Sequence, residues 1–510
     1  MAGPPPDLPQ DAIDEAAAAT RAEASAQDVL DSPSAGAAAI RGGVLRIVAY
    51  FAGVVLSIGS AALLFRHLGV DGAGRYVTVL SLVAVVGGLT EAGLTALGVR
   101  ELSQRAGAER GAVMRTLLGV RLMLTSAGVL LAGLFAGLAG YGEVLVIGTL
   151  VAGVGLVFQN LQSTLAISLM TRLRFGWVAI ADLLRQVVTV ALIVALVELG
   201  ASILPFLAVP VAASLVVLAL SVRLVRGDVP AIPSFDSREM WRLTREALPF
   251  GVATAVNAIY FRVAIIIVSL VATAQQTGYF GASFRVIEVL IVIPSLAVGA
   301  VFPIFARAAR DDHTRLAYAL ERSLEACLIF GSVVALGVSV GAPFIIDVVA
   351  GPKFGPAVDV LRIQGLALLG SFATVPWGFV LVSLGRYREL LVINGVALAL
   401  SAGLTAFLTS ADGARGAAFA TTVGEFFLAA SAAFVLYRSY PALRPSLRVV
   451  PAIVAAGALA VAVAVFVPLP AVVLAPLSGI VFLTVVAAAG AIPDELFAEV
   501  RKLRHSRTAA

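Results

Sequence analysis

Residues 77–138 read VTVLSLVAVVGGLTEAGLTALG, then VRELSQRAGAERGAVMR, then TLLGVRLMLTSAGVLLAGLFAGL. Two apolar stretches flank a connection that holds Arg100, Arg105, Arg110 and Arg115. Roughly 20 apolar residues cross a hydrocarbon core of roughly 30 Å as one helix. A connection rich in arginine marks the cytoplasmic side of such a pair.

The same unit recurs along the whole chain. Fourteen apolar runs cover approximately 44–65, 77–98, 116–138, 144–170, 178–197, 201–222, 248–271, 282–303, 325–346, 361–384, 390–409, 414–436, 449–468 and 471–492. Basic residues flank them on alternate sides. The segments assigned to one side hold 26 Lys and Arg, from Arg41 and Arg46 to Arg501, Lys502, Arg504 and Arg507. The opposite segments hold 5: Arg66, Arg75, Lys353, Arg362 and Arg415. The positive-inside rule then puts both termini in the cytoplasm. The expectation is an all-α integral membrane protein of fourteen helices.

Composition agrees. Sixty per cent of residues are hydrophobic and 13% charged, with a mean hydropathy of +1.00. Helices satisfy their own backbone polar groups in lipid; a barrel would need short alternating strands, and these runs are long and continuous. The net charge of +5 reflects topology, so nucleic acid is not an expected partner. Only two of the 36 basic residues are Lys, and the Arg and Ala bias suggests a GC-rich bacterial genome. The single Cys327 excludes an intramolecular disulfide. Neither Lys353 nor Lys502 follows a Gly, so there is no P-loop. His67, His313 and His505 are scattered, and no metal-ligand cluster or nucleophile–base constellation is visible. The expectation is a protein without catalytic residues, metal or cofactor.

Residues 1–40 hold seven acids against Arg21 alone and lack the pattern of a signal peptide. They are expected to form a disordered cytoplasmic tail, transiently helical around Ala16–Gln27. Beyond them the chain repeats itself weakly at an offset near 204–212. Gly74-Arg75-Tyr76 matches Gly278-Tyr279-Phe280, and Leu173-Arg174-Phe175 matches Gly385-Arg386-Tyr387. Asp182 matches Asn394, and Arg226 matches Arg438. An offset of six runs preserves orientation, which implies parallel repeats about an axis along the membrane normal. The expected organisation is an N-lobe over 41–227, a linker and C-lobe over 228–440, and two appended helices with a tail over 441–510. Within the linker, Asp236 or Ser237 is placed to cap a short helix through Trp241 to Leu248, with Trp241 at the cytoplasmic interface.

A charge inside a span costs roughly 2.5–3.5 kcal/mol on insertion scales. Arg262 lies near the middle of the seventh run with no acid close by on its own helix, and Asn257 is a second polar position there. Arg121 lies in the third run. Asp182 with Arg185, and Arg285 with Glu288, are three residues apart and positioned to pair. Glu91, Glu325 and Glu425 lie in the second, ninth and twelfth runs, and Asn160 makes the fourth polar at its middle. The Asp182–Arg185 and Arg285–Glu288 pairs, Glu91 and Glu325 also fit a purely structural role. Unpaired arginines in a lumen suit phosphate or pyrophosphate, whose oxygens the guanidinium fork binds bidentately. Arg262, Arg121, Arg185, Arg285, Asn257 and Asn160 are therefore the expected substrate-binding residues. Glu425, Asp182, Glu288 and Glu91 are the expected coupling residues.

The stretches Leu64-Phe65-Arg66-His67-Leu68-Gly69, Glu91-Ala92-Gly93-Leu94, Ala247-Leu248-Pro249 and Tyr260-Phe261-Arg262 continue into Phe284-Arg285-Val286-Ile287-Glu288 and Gly351-Pro352-Lys353-Phe354. In this order the chain resembles bacterial polysaccharide flippases of the multidrug/oligosaccharidyl-lipid/polysaccharide exporter superfamily, over roughly residues 41–440. The resemblance implies two six-helix lobes around a lumen open alternately to each side. It implies export of undecaprenyl-pyrophosphate-linked oligosaccharide across the bacterial inner membrane by a monomer, coupled to H+ or Na+, beside a polysaccharide polymerase and glycosyltransferases. One position departs: where relatives often carry an acid two residues after the arginine of the seventh helix, this chain has Ala264. A lipid II-type flippase, a multidrug exporter and a non-transporting scaffold are the competing readings.

Overall fold

Apolar runs with self-satisfied backbones dictate helices, and the computed structural model contains nothing else of regular structure among the described residues except two single 3-10 turns. It describes residues 33–91, 93–446 and 448–491. In chain order the helices are α1 Pro33–Glu91, α2 Leu94–Ser103, α3 Gly107–Leu138, α4 Glu143–Thr171, α5 Phe175–Glu198, α6 Ile203–Val225, α7 Ser237–Val271, α8 Ala274–Leu290, α9 Val292–Asp311, α10 His313–Val349, α11 Ala357–Ser383, α12 Tyr387–Ser439, α13 Val449–Phe466 and α14 Ala471–Ala488.

These helices are not the fourteen runs one for one. Among the described residues, eleven helical segments are long and apolar enough to cross a membrane. Two of the eleven each carry two runs joined across a break. In α1 the break is Gly69, at φ 67°; in α12 it is Asp412–Gly413, with Gly413 at φ 53°. The eighth run is split between α8 and α9, and the seventh forms the later part of α7.

The tail expected over 1–40 lies mostly outside the described residues, as do Ala16–Gln27 and the basic residues after 491. Helix α1 begins at Pro33, earlier than the boundary at 41. The linker differs too. Asp236 does cap, accepting hydrogen bonds from the amides of Arg238 at 3.0 Å and Glu239 at 3.4 Å. The helix it starts is not short, however; it runs unbroken through Pro249 to Val271.

The repeat is visible in backbone geometry. Leu173 is the one non-glycine residue with positive φ among the described residues, at 55°, and Gly385 takes φ 71°. Arg174 and Arg386, one residue on, have φ/ψ of −84°/47° and −84°/50°. Both amides reach back five residues, Arg174 to the Leu169 carbonyl at 2.8 Å and Arg386 to the Leu381 carbonyl at 2.9 Å. A second correspondence is a helix crossing. A Cβ on Gly155 of α4 would lie 2.7 Å from the Pro210 carbonyl carbon of α6. A Cβ on Gly370 of α11 would lie 2.8 Å from the Glu425 carbonyl carbon of α12. Small residues of this kind let helices approach closely where lipid supplies no hydrophobic drive between them.

The amino-terminal and carboxy-terminal helices meet along α1, α7 and α8. At one end the contact is tight. A Cβ on Gly74 would fall 2.0 Å from the Ala274 carbonyl oxygen, and one on Gly278 would fall 2.3 Å from the Val70 carbonyl oxygen. Arg66 donates there to the carbonyls of Asp347 at 2.7 Å and Val348 at 3.2 Å, closing the last turn of α10. Helices α13 and α14 pack on each other and on α10, through Ala456, Ala460, Phe482 and Ile329.

Candidate functional site: a cleft with two arginines and one carboxylate

Between the two sets of helices lies a cavity of about 240 Å3. Helix α1 contributes Ser57 and Ser60, α5 contributes Gln186 and Thr189, α7 contributes Arg262, and α8 contributes Arg285 and Glu288. Ser57, Ser60 and Leu64 share a face because they are three and four residues apart on a helix. The same spacing puts Arg285 and Glu288 on one face of α8.

Glu288 is the centre of this site. One carboxylate oxygen accepts from Arg262, across the α7–α8 contact, and the other accepts from Arg285 at 2.9 Å. Arg285 also donates to Ser57 of α1. The Arg262 guanidinium lies 5.7 Å from the centroid of the Phe284 ring, a distance at which a cation is attracted to an aromatic face. Two guanidinium groups share one carboxylate, so the constellation carries one uncompensated positive charge.

Arg262 is therefore not unpaired, contrary to expectation; its acid comes from the next helix. Arg121 is likewise paired. It is 1% exposed and reaches Glu91 of α1 at 2.8 Å, the Thr90 carbonyl at 3.1 Å and the Thr95 hydroxyl at 2.8 Å. A buried guanidinium with this many acceptors is fixed in place and holds α1, α2 and α3 together. Asn160 belongs to the same polar interior, donating to the hydroxyls of Thr90 at 3.0 Å and Thr125 at 2.9 Å. None of Arg121, Glu91 and Asn160 lines the cleft.

The remaining expected residues separate further. Arg185 donates to Gln162 at 2.6 Å and to Asp182 at 3.2 Å, the pairing its spacing implied. Glu325 pairs with Arg322 at 2.8 Å. Asn257 is exposed on α7 and does not line the cleft. Of the ten expected residues, the structure brings Arg262, Arg285 and Glu288 together.

Glu425 occupies a second, smaller cavity of about 40 Å3 between α7, α8, α11 and α12. Tyr260 donates to one of its oxygens at 2.9 Å and Ser371 to the other at 2.6 Å. Ala264 lines the same cavity, and Phe284 lines both this cavity and the cleft. Glu425 thus enters the space beside Ala264 from another helix. Sequence reasoning missed Ser57, Ser60, Gln186, Thr189 and Tyr260. The available signal for the first two was a pair of hydroxyls at helical spacing within an apolar run.

At the end of the molecule opposite Gly74, α7 is clamped to α2. Arg242 donates to Glu239 at 2.5 Å, Glu246 at 2.8 Å and Glu101 at 3.4 Å, while Arg105 reaches Glu101 at 2.8 Å. Hydrogen bonding by Arg242 holds the Glu239 carboxyl below its ordinary range.

The family model of polysaccharide biosynthesis proteins matches residues 39–309. Among solved structures, a lipid II flippase MurJ in an inward closed conformation aligns with a TM-score of 0.74 at 14% identity, over 87% of this chain and 98% of that one. An inward-facing multidrug resistance transporter of the MATE family, in the MOP superfamily, aligns with a TM-score of 0.64 at 12% identity, over 78% and 98%. A MOP superfamily transporter from Pyrococcus furiosus aligns with a TM-score of 0.52 at 14% identity, over 80% and 96%. At these identities the likeness is one of fold. No curated protein matches the sequence.

Proposed function

The chain belongs to the polysaccharide biosynthesis protein family, and on that premise we propose that it is a secondary flippase for a polyprenyl-pyrophosphate-linked oligosaccharide. Family and fold point to a membrane transporter rather than an enzyme. The finer reading rests on one observation: Arg262 and Arg285, from two helices, converge on the single carboxylate of Glu288 in a cleft between the two sets of helices. A diphosphate that enters this cleft meets one net positive charge and two forked donors. Ser57, Ser60, Gln186 and Thr189 line the same space with groups suited to sugar hydroxyls.

Lobes over 41–227 and 228–440 then rock about this cleft, with the Gly74–Ala274 contact as the closed end. The split of loop arginines assigns that end to the outside of the cytoplasmic membrane and both termini to the cytoplasm. Glu425, desolvated and held by Tyr260 and Ser371, is the coupling carboxylate in this scheme, with H+ or Na+ as its ion. A charge crossing the full potential gains roughly 2.3 kcal/mol per 100 mV, which an anionic lipid leaving a negative-inside cell can draw on. The same chemistry suits a lipid II-type precursor, which the likeness to MurJ favours as the second reading.

The test is purified protein in liposomes holding a fluorescent lipid-linked glycan, without ATP and with an imposed potential. Translocation that responds to the potential or to an ion gradient supports the proposal. Export of cationic drugs with no movement of the glycan overturns it in favour of a multidrug exporter, and movement of neither overturns transport and leaves the scaffold.

A further inference from the structure

Helix α7 has 35 residues and is therefore about 52 Å long, against a hydrocarbon core of roughly 30 Å. Its apolar run begins only at Leu248, so its first turns lie outside the core. Trp241 is seven residues, about 10 Å, ahead of Leu248, where the apolar run begins. Pro249 has no amide hydrogen to continue the helical ladder, which lets this part of the helix bend toward the membrane plane.

The three arginines of this segment are not equivalent. Arg242 is turned to protein and engaged by Glu239, Glu246 and Glu101. Arg238 and Arg245 are exposed and make no ion pair among the described residues. With Trp241 between them, at spacings of three and four, they share one face of the helix. That face borders a surface groove of about 610 Å3. The acids beside it are already committed: Asp236 caps the helix, Glu239 binds Arg242, and Glu246 binds Arg242 and Arg100. Trp241 is 68% exposed, and Phe235 and Leu248 before and after it are 61% and 57% exposed.

We propose that Arg238, Trp241 and Arg245 form a binding site for anionic phospholipid headgroups. An indole standing 68% free of protein gains by lying at the headgroup boundary, and two uncommitted guanidinium groups beside it select phosphate diesters of net negative charge. The occupant is the membrane surface itself, because the helix that carries this face continues without interruption into the bilayer. A lipid held here fixes the start of the helix that carries Tyr260 and Arg262. The site is independent of the transport reading and is tested without it.

The chain has three tryptophans, so Trp177→Phe with Trp377→Phe leaves Trp241 as the only indole. This protein is placed in vesicles of phosphatidylglycerol and phosphatidylcholine of fixed composition, with one or the other lipid brominated near the headgroup end of its chains. Quenching by brominated phosphatidylglycerol is expected to exceed quenching by brominated phosphatidylcholine about fivefold or more at equal mole fraction. Arg238→Gln with Arg245→Gln should equalise the two, as should high salt. Equal quenching in the unaltered arginine background, quenching by neither lipid, or a preference that survives the double substitution would each overturn the proposal. Quenching by neither would place the face against water or a protein partner.

Discussion

Tyr260 and Arg262 leave α7 two residues apart and serve two different carboxylates: Tyr260 donates to Glu425 at 2.9 Å, and Arg262 pairs with Glu288. The two acids sit in separate cavities, and Phe284 lines both. A movement of α7 that alters one carboxylate's environment therefore alters the other's. Tyr260→Phe leaves one Glu425 oxygen without its donor, at a cost of about 1–3 kcal/mol. The expected result is a lower Tm in detergent for Tyr260→Phe alone and little further loss when Glu425→Leu is already present. Equal losses in both backgrounds would show that the hydroxyl does not act through Glu425.

Arg121 and Arg262 are expected to respond differently to truncation. Arg121→Ala removes the partner of the partly exposed Glu91 and leaves the Thr90 carbonyl and Thr95 hydroxyl without their donor, which costs roughly 1–3 kcal/mol and should lower the yield of folded protein. Arg121→Met with Glu91→Leu should recover most of that loss, because no charge is left unpaired. Thermal melts of these two variants beside the unaltered chain check this. A single and a double variant of equal stability would contradict the pairing.

The two matched helix starts make a further comparison. Leu173 holds a left-handed backbone, which costs an L side chain roughly 1–2 kcal/mol, where Gly385 holds it freely. Leu173→Gly should be tolerated within about 1 kcal/mol, while Gly385→Leu should destabilise by about 1–2 kcal/mol. Stability scans of both substitutions decide it, and the reverse order would count against the shared geometry.

Gly74 has no room for a Cβ against Ala274. Gly74→Ala must part α1 from α8 at that end. Thr277 is fully buried beside this contact, so a thiol placed there reports on it. After Cys327→Ser, Thr277→Cys should be silent toward an impermeant thiol reagent and should react from outside the cell once Gly74→Ala is added. Strong labelling before the glycine is changed, or labelling only in inverted vesicles, would remove the closed outer end from the account.

What the sequence disclosed follows the range of the forces involved. Arg285–Glu288 and Asp182–Arg185 were legible because a helix alone sets positions three residues apart. Gly69 and Gly413 fall between consecutive runs, where a turn needs a backbone that side chains resist. Arg262–Glu288, Arg121–Glu91 and Tyr260–Glu425 were not legible, since each joins two helices whose rotation and register depend on packing along their whole length. The same limit made Arg262 look unpaired and Asn160 look like a lumen residue. The linker's charges end near Leu248 and suggest a short helix there, whereas the helix continues across that change of surroundings and past Pro249, which withholds only its own amide.

The central claim is that Arg262 presents its charge to a lipid-linked diphosphate, and the most direct measurement is glycan translocation by Arg262→Ala in the ATP-free liposomes. Glu288 keeps Arg285 at 2.9 Å in this variant, so the protein should fold with a Tm near that of the unaltered chain. Translocation should fall by about 100-fold or more, as when a charge-assisted contact of about 3 kcal/mol is removed. Arg262→Lys should recover only part of it, because an ammonium lacks the fork. Translocation by Arg262→Ala at the unaltered rate, with the protein folded, would contradict the claim.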